Sequence, residues 1–218
     1  MTYIVTVESE IQHIAPPALP QGTETYDRAY QDQLNNVIRL YFNRLNTLFG
    51  QLNASSDTSG LRVPYGAFSS GVDQTTTANT ATLMTLNTTD FSNDVSISSS
   101  KITVVNAGIY NLQFSVQLEN SNNAPQDVYI WLKQNGTDIT GSTGVVGMPA
   151  RKNPGDPFHA IYGWNYFLSM TAGQYIEIYW STTSADVSIQ YYAASGSPTK
   201  PATQSVVATM SFVSALST

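Results

Sequence analysis

Val128-Tyr129-Ile130-Trp131-Leu132-Lys133-Gln134-Asn135-Gly136-Thr137 decides the fold class. Side chains alternate along an extended backbone, so Val128, Ile130 and Leu132 share one face and Tyr129 and Trp131 the other. Asn-Gly then supplies the two residues that most readily take positive φ, as a two-residue hairpin turn requires. The stretch reads as a strand, a tight turn and a returning strand.

The same pattern continues on both sides. Tyr175-Ile176-Glu177-Ile178-Tyr179-Trp180 is apolar or aromatic on both faces, broken only by Glu177. A strand of that kind predicts sheet-on-sheet packing plus a further contact. Thr171-Ala172-Gly173-Gln174 is the turn that feeds it. Strands are expected at 65–69, 82–86, 102–105, 108–119, 126–134, 137–142, 160–170, 175–181, 188–194 and 204–213. Residues 144–158, GVVGMPARKNPGDPF, read as a polar, Pro-rich insert between strands. Residues 62–218 form one β head.

Upstream the period changes from 2 to 3.5. Leu34, Ile38, Tyr41, Leu45, Leu48 and Leu52 recur at spacings of 4, 3, 4, 3 and 4, an a/d stripe with no Pro from 26 to 53. Val37, Phe42 and Phe49 lie beside the stripe and widen it, which favours three strands or docking on a domain. Residues 25–53 are therefore expected to be an amphipathic, coiled-coil-like, trimerising helix. Residues 54–61, ASSDTSGL, are a polar linker. Residues 1–24 contain Pro16, Pro17 and Pro20, which forbid a helix, together with Ile4, Val5, Val7, Ile11, Ile14 and Leu19. An extended apolar arm cannot bury itself, so it is expected to anchor on another protein; a strap on its own domain or a disordered leader is the alternative.

Composition removes several function classes. The 218 residues include no cysteine, so there is neither a disulfide framework nor a thiolate metal site. Net charge is -6 and charged residues are 11%, against roughly 25% in an average globular chain. Duplex nucleic acid needs clustered Lys and Arg that are missing here. No apolar run reaches the roughly 20 residues that span a bilayer, and MTYIVTVESEIQ lacks signal-peptide character. The expectation is synthesis in a bacterial cytoplasm, with neither nucleic acid nor membrane insertion among its contacts.

Residues 65–213 resemble the trimeric jelly roll shared by tumour necrosis factor and the complement globular head. Val104-Val105-Asn106-Ala107-Gly108-Ile109-Tyr110-Asn111-Leu112-Gln113-Phe114 is similar to the family's GxYxF strand. Trp131-Leu132-Lys133-Gln134-Asn135-Gly136 resembles its hairpin, and residues 167–178 its strand–turn–strand with Gln174 in place of a common Asp. Ala208-Thr209-Met210-Ser211-Phe212-Val213 fits its last strand. The resemblance implies a mostly β, antiparallel jelly-roll sandwich that forms a homotrimer, with core and trimer contacts drawn from Tyr129, Trp131, Tyr162, Trp164, Tyr166, Tyr179 and Trp180. Residues 30–45 resemble a segment of structural proteins in marine and cyanobacterial tailed phages.

No catalytic constellation stands out. His13 and His159 form no ligand pair, and Gly-x-Ser-x-Gly is absent. Among Asp73, Asp90, Asp94, Glu119 and Glu177 nothing pairs two carboxylates for glycoside hydrolysis. Arg151-Lys152, the densest basic spot, reads as a solvated loop tip or a contact for an acidic partner. The expected function is that of a non-enzymatic structural virion protein without cofactor or metal. It would be a short fibre, knob or decoration bound to a virion neighbour through its arm, facing a host polysaccharide or protein receptor. A lectin-like module outside a virion, a cement protein without a receptor role and a polysaccharide-cleaving enzyme are the rivals.

Overall fold

The computed structural model describes residues 16–22, 24–53 and 63–216, with helix side chains described to residue 47. The chain divides into two compact units at Arg62 and Val63.

In the first unit one helix, α1 (Arg28–Asn53), follows an extended segment. Asp27 sets its start: the Ala29 N–H donates to Asp27 Oδ1 at 2.8 Å and the Gln31 N–H to the Asp27 carbonyl at 3.1 Å. That satisfies a donor which the first helical turn otherwise leaves open. Leu34, Tyr41 and Leu45 are half-buried, whereas Ile38, Leu40 and Phe42 are exposed. The side chains of Leu48 and Leu52 lie outside the described residues, as do Ile4, Val5, Val7, Ile11 and Ile14 of the arm. What is described of the arm folds back: Pro17 shares a small cleft with Val37, Leu40, Tyr41 and Arg44. Leu19 is exposed.

The second unit is all β. Its strands are β1 (Tyr65–Ser70), β2 (Gln74–Thr75), β3 (Thr82–Leu83), β4 (Thr88–Asn93), β5 (Val95–Ser98), β6 (Lys101–Val104), β7 (Gly108–Asn120), β8 (Gln126–Gln134), β9 (Thr137–Asp138), β10 (Gly144–Met148), β11 (Phe158–Met170), β12 (Tyr175–Thr182), β13 (Val187–Ile189), β14 (Ser195–Gly196), β15 (Thr199–Lys200) and β16 (Val206–Ser214). One antiparallel sheet runs β2-β13-β7-β16-β1-β4, with β11 on the other side of β7; the other runs β10-β8-β12-β6-β5, with β3 on β12 and β9 on β8. The two enclose a single core. Its centre is the inward row of β7, Tyr110, Leu112, Phe114, Val116 and Leu118, facing Val128, Ile130, Leu132, Ile176, Ile178 and Trp180 from the second sheet.

The Asn135-Gly136 hairpin forms as the sequence requires: Gln134 pairs with Thr137, and φ is 51° at Asn135 and 79° at Gly136. Other expectations are corrected. The strand expected at 82–86 is only the two residues of β3, that at 137–142 only β9, and that at 188–194 only β13. Residues 144–158 are not simply an insert, because β10 pairs with β8 from Gly144↔Ile130 to Met148↔Gln126. The hairpin of β5 and β6 turns on Ser99 and Ser100, both at positive φ, without the Asn or Gly that would signal it.

Gly108 opens β7 for a steric reason. A Cβ there would sit 2.8 Å from the Ser214 carbonyl oxygen and inside the Phe212 ring, which packs edge-on against Tyr110 at 5.5 Å. The backbone oxygen cannot rotate away. Gly108→Ala is therefore expected to destabilise the head by about 1–3 kcal/mol, as overpacking does, read as a lowered midpoint in urea unfolding. An unchanged midpoint would show that β16 shifts freely.

Candidate functional site

One of the two longest strands, β11, has an open edge and an exposed outward face. β11 alternates strictly: Tyr162, Trp164, Tyr166, Leu168 and Met170 turn inward, and His159, Ile161, Gly163, Asn165, Phe167 and Ser169 turn outward. It pairs with β7 through all thirteen positions, from Phe158↔Asn120 to Met170↔Gly108. Among the described residues no strand pairs with its other edge. Ile161 and Phe167 are 66% and 65% exposed, and Val207 on β16 is 39% exposed. Between them Gly163 leaves a groove of about 520 Å³, walled by Gln113, Ser115, Asn165, Val207 and Thr209. The Asn111 amide donates to Asn165 Oδ1 at 2.9 Å across this face. A flat surface with exposed aliphatic and aromatic groups around a polar middle suits protein contact rather than chemistry. The alternation of 158–170 carries the signal for Ile161, Gly163 and Phe167, whereas Val207 joins them only through the pairing of β16 with β7.

At the start of β11 lies a polar cluster. The Tyr192 hydroxyl donates to Glu119 Oε2 at 2.9 Å and lies 2.8 Å from His159 Nδ1, which is 3.6 Å from the same carboxylate oxygen. The Tyr191 N–H donates to Asp73 Oδ1 at 2.8 Å, and Lys200 Nζ donates to the Ala193 carbonyl at 2.9 Å. The Tyr192 contacts tie that residue to β7 and β11, while the Lys200 bond closes the segment 193–200 on itself. His159 is thus a residue of β11 with side-chain partners. Burial pushes the Tyr192 hydroxyl well above the usual tyrosine range, helped by its bond to Glu119 and by the charges of Glu119 and Asp73.

Burial also raises Tyr110 and Tyr166, Tyr110 with help from the Asp94 charge. A raised value favours the neutral phenol in the folded chain. The stability that these phenols contribute is present in full below about pH 10, where tyrosine titrates in an unfolded chain, and is lost as the pH rises past that toward the folded values. Urea unfolding between pH 8 and 11.5 should show a fall confined to the alkaline end, and Tyr192→Phe should make that fall shallower. Stability that rises above pH 10 would contradict the assignment.

The seven aromatics singled out in the sequence separate into two groups. Trp180 is fully buried, and Tyr162, Trp164 and Tyr166 pack against the core. Trp164 stacks on Phe114 at 5.5 Å, and the Tyr166 hydroxyl donates to the Ser142 carbonyl at 2.7 Å. Tyr129, Trp131 and Tyr179 are half-buried on the outward face of the second sheet. Arg151 donates from its guanidinium to the Ser121 carbonyl at 3.2 Å, and Lys152 lies 3.9 Å from Asp156 Oδ1. Among the described residues no three of His, Cys, Asp or Glu group as a metal site, and no helix is long and apolar enough to cross a membrane.

A scan against protein-family models finds no match for the chain, and a search of curated proteins finds none.

Proposed function

We propose that the chain is a structural protein of a tailed-bacteriophage virion, a homotrimer whose β head forms a short fibre, knob or decoration and whose residues 1–24 attach it to a neighbour. The observation that carries the assembly reading is the open edge of β11 beside exposed Ile161 and Phe167. A thirteen-residue edge strand with apolar neighbours templates wrong pairing unless something covers it. The exposed Ile38, Leu40 and Phe42 of α1 make the same demand on the first unit. The strand orders β11-β7-β16-β1 and β10-β8-β12-β6 support a jelly roll of the tumour necrosis factor and complement globular-head type. The order of arm, helix and head supports the virion setting.

Sedimentation of the purified chain tests the assembly. One species near three times 23.7 kDa is expected. Ile161→Glu with Phe167→Glu should leave single-chain mass with unchanged circular dichroism, since both side chains already face solvent. Ile38→Asp should weaken the trimer without altering the head. A wild-type monomer at tens of micromolar would sink the reading. Peptide mass spectrometry of purified particles of the encoding phage tests the virion setting, and absence of the chain from them would reject it.

A further inference from the structure

The outward face of the second sheet carries a different surface. Cross-strand register places Val145 beside Tyr129, Trp131 beside Tyr179, and Tyr179 beside Leu83. These five side chains lie on four adjacent strands, β10, β8, β12 and β3. Neighbouring strands are about 4.8 Å apart, so the patch runs roughly 14 Å, the length of about two to three pyranose rings. The Trp131 and Tyr179 rings lie 5.8 Å apart and are tilted by 32°, so they form a shallow step rather than a packed sandwich.

One row further along the same strands the chemistry turns polar. Lys133 pairs across to Asp138 on β9 and to Glu177 on β12. Trp131 Nε1 donates to Asp138 Oδ1 at 2.7 Å, and Lys133 Nζ approaches the same oxygen at 3.4 Å. Both contacts fall on Oδ1, and the Asp138 side chain is 65% exposed. Lys133 Nζ also lies over the Tyr179 ring, 4.5 Å from its centroid, so it covers one face of that ring and leaves the other for a ligand.

We propose that this face is a saccharide-binding platform centred on Trp131 and Tyr179, which takes the pyranose rings of a neutral polysaccharide. A pyranose has an apolar C–H face, which stacks on an aromatic ring, and a rim of hydroxyls that both donate and accept. The platform offers both within one side-chain length: rings for the C–H face, the Asp138 carboxylate to accept and the Lys133 ammonium to donate. The charges come in opposite pairs, Lys133 with Asp138 and Lys101 with Glu177 at 3.9 Å. Asp127, exposed on the same outward row of β8, adds a negative charge, so the face has no positive excess with which to select an anionic glycan. Every residue comes from one chain, so the proposal goes beyond the assembly reading and does not rest on it.

The full chain is titrated with cellohexaose, laminarihexaose and chitohexaose by tryptophan fluorescence and is run on a glycan array of neutral bacterial polysaccharides. At least one neutral saccharide is expected to bind. Trp131→Ala and Tyr179→Ala should each weaken binding tenfold or more, Asp138→Asn several-fold, and Trp131→Phe only slightly. Val72→Ser, at an exposed position outside both surfaces, should bind as the wild type does. Trp131→Phe and Asp138→Asn keep the test valid should an alanine variant fail to fold. No binding to any probe, or binding that survives Trp131→Ala with Tyr179→Ala, overturns the proposal. So does selection of acidic glycans alone. The native mass of the same preparation reads the trimer separately, so either reading can fail without the other.

Discussion

β7 holds the head together through three pairings made at once. One edge is bonded to β11 along its whole length; the other is shared by β16 over residues 109–116 and by β13 over residues 118–120. Because the side-chain period is two, this register fixes which side of three neighbouring strands faces inward. Tyr110, Leu112, Phe114, Val116 and Leu118 enter the core together, and the same alternation turns Gln113 and Ser115 outward. The open face of β11 is therefore a direct result of core packing. A strand held in register by seven inward residues has no freedom to hide the six between them.

Polar groups at the end of this strand show how the core is closed. Asn120 is fully buried, yet its amide donates to the Ala124 carbonyl at 3.2 Å and the Pro149 carbonyl at 2.8 Å, while its Oδ1 accepts the Asn122 N–H at 2.9 Å. A buried amide left unpaired would cost about 1–3 kcal/mol. Here it stitches the loop after β7 to the loop after β10 instead. Ser142 plays the same part beneath the β8–β9 hairpin, donating to the Ile139 carbonyl at 2.8 Å and accepting the Leu132 N–H at 3.0 Å. Small polar side chains thus replace the ion pairs in which this chain is poor.

Much of this was legible in the residues. The β class, the Asn-Gly hairpin, the Gly108-x-Tyr110 start of β7 and a helix ending at Asn53 each follow from a local signal that tertiary contacts do not override, while the helix start, expected at 25, lies at Arg28. The elements that escaped have a common physical cause. β4, TTDFSN, is almost wholly exposed, so it has no apolar alternation to read. The Ser99-Ser100 turn adopts left-handed backbone with residues that do not advertise it. β10 looks like loop because Gly144 and Gly147 interrupt it; Gly144 is needed there because a Cβ would collide with the Trp164 indole, a contact set by a residue twenty positions away. The outward aromatics were found by type but not by side. Alternation says that Trp131 and Trp164 each alternate with their neighbours, and only the pairing partner says which of the two faces is solvent.

The position of β16 has a consequence for how the head is made. It lies between β7 and β1, in the middle of its sheet, although it is the last strand in the described sequence. When a ribosome releases β1 and β7, the place between them stays vacant until residues 206–214 emerge. The nascent chain can close the β7–β11 pair early, but it cannot join that pair to β1. A stop codon or proteolytic cut shortly before residue 206 would therefore remove the seam of the sheet rather than trim its margin. Closure of this sheet therefore waits on residues 206–214.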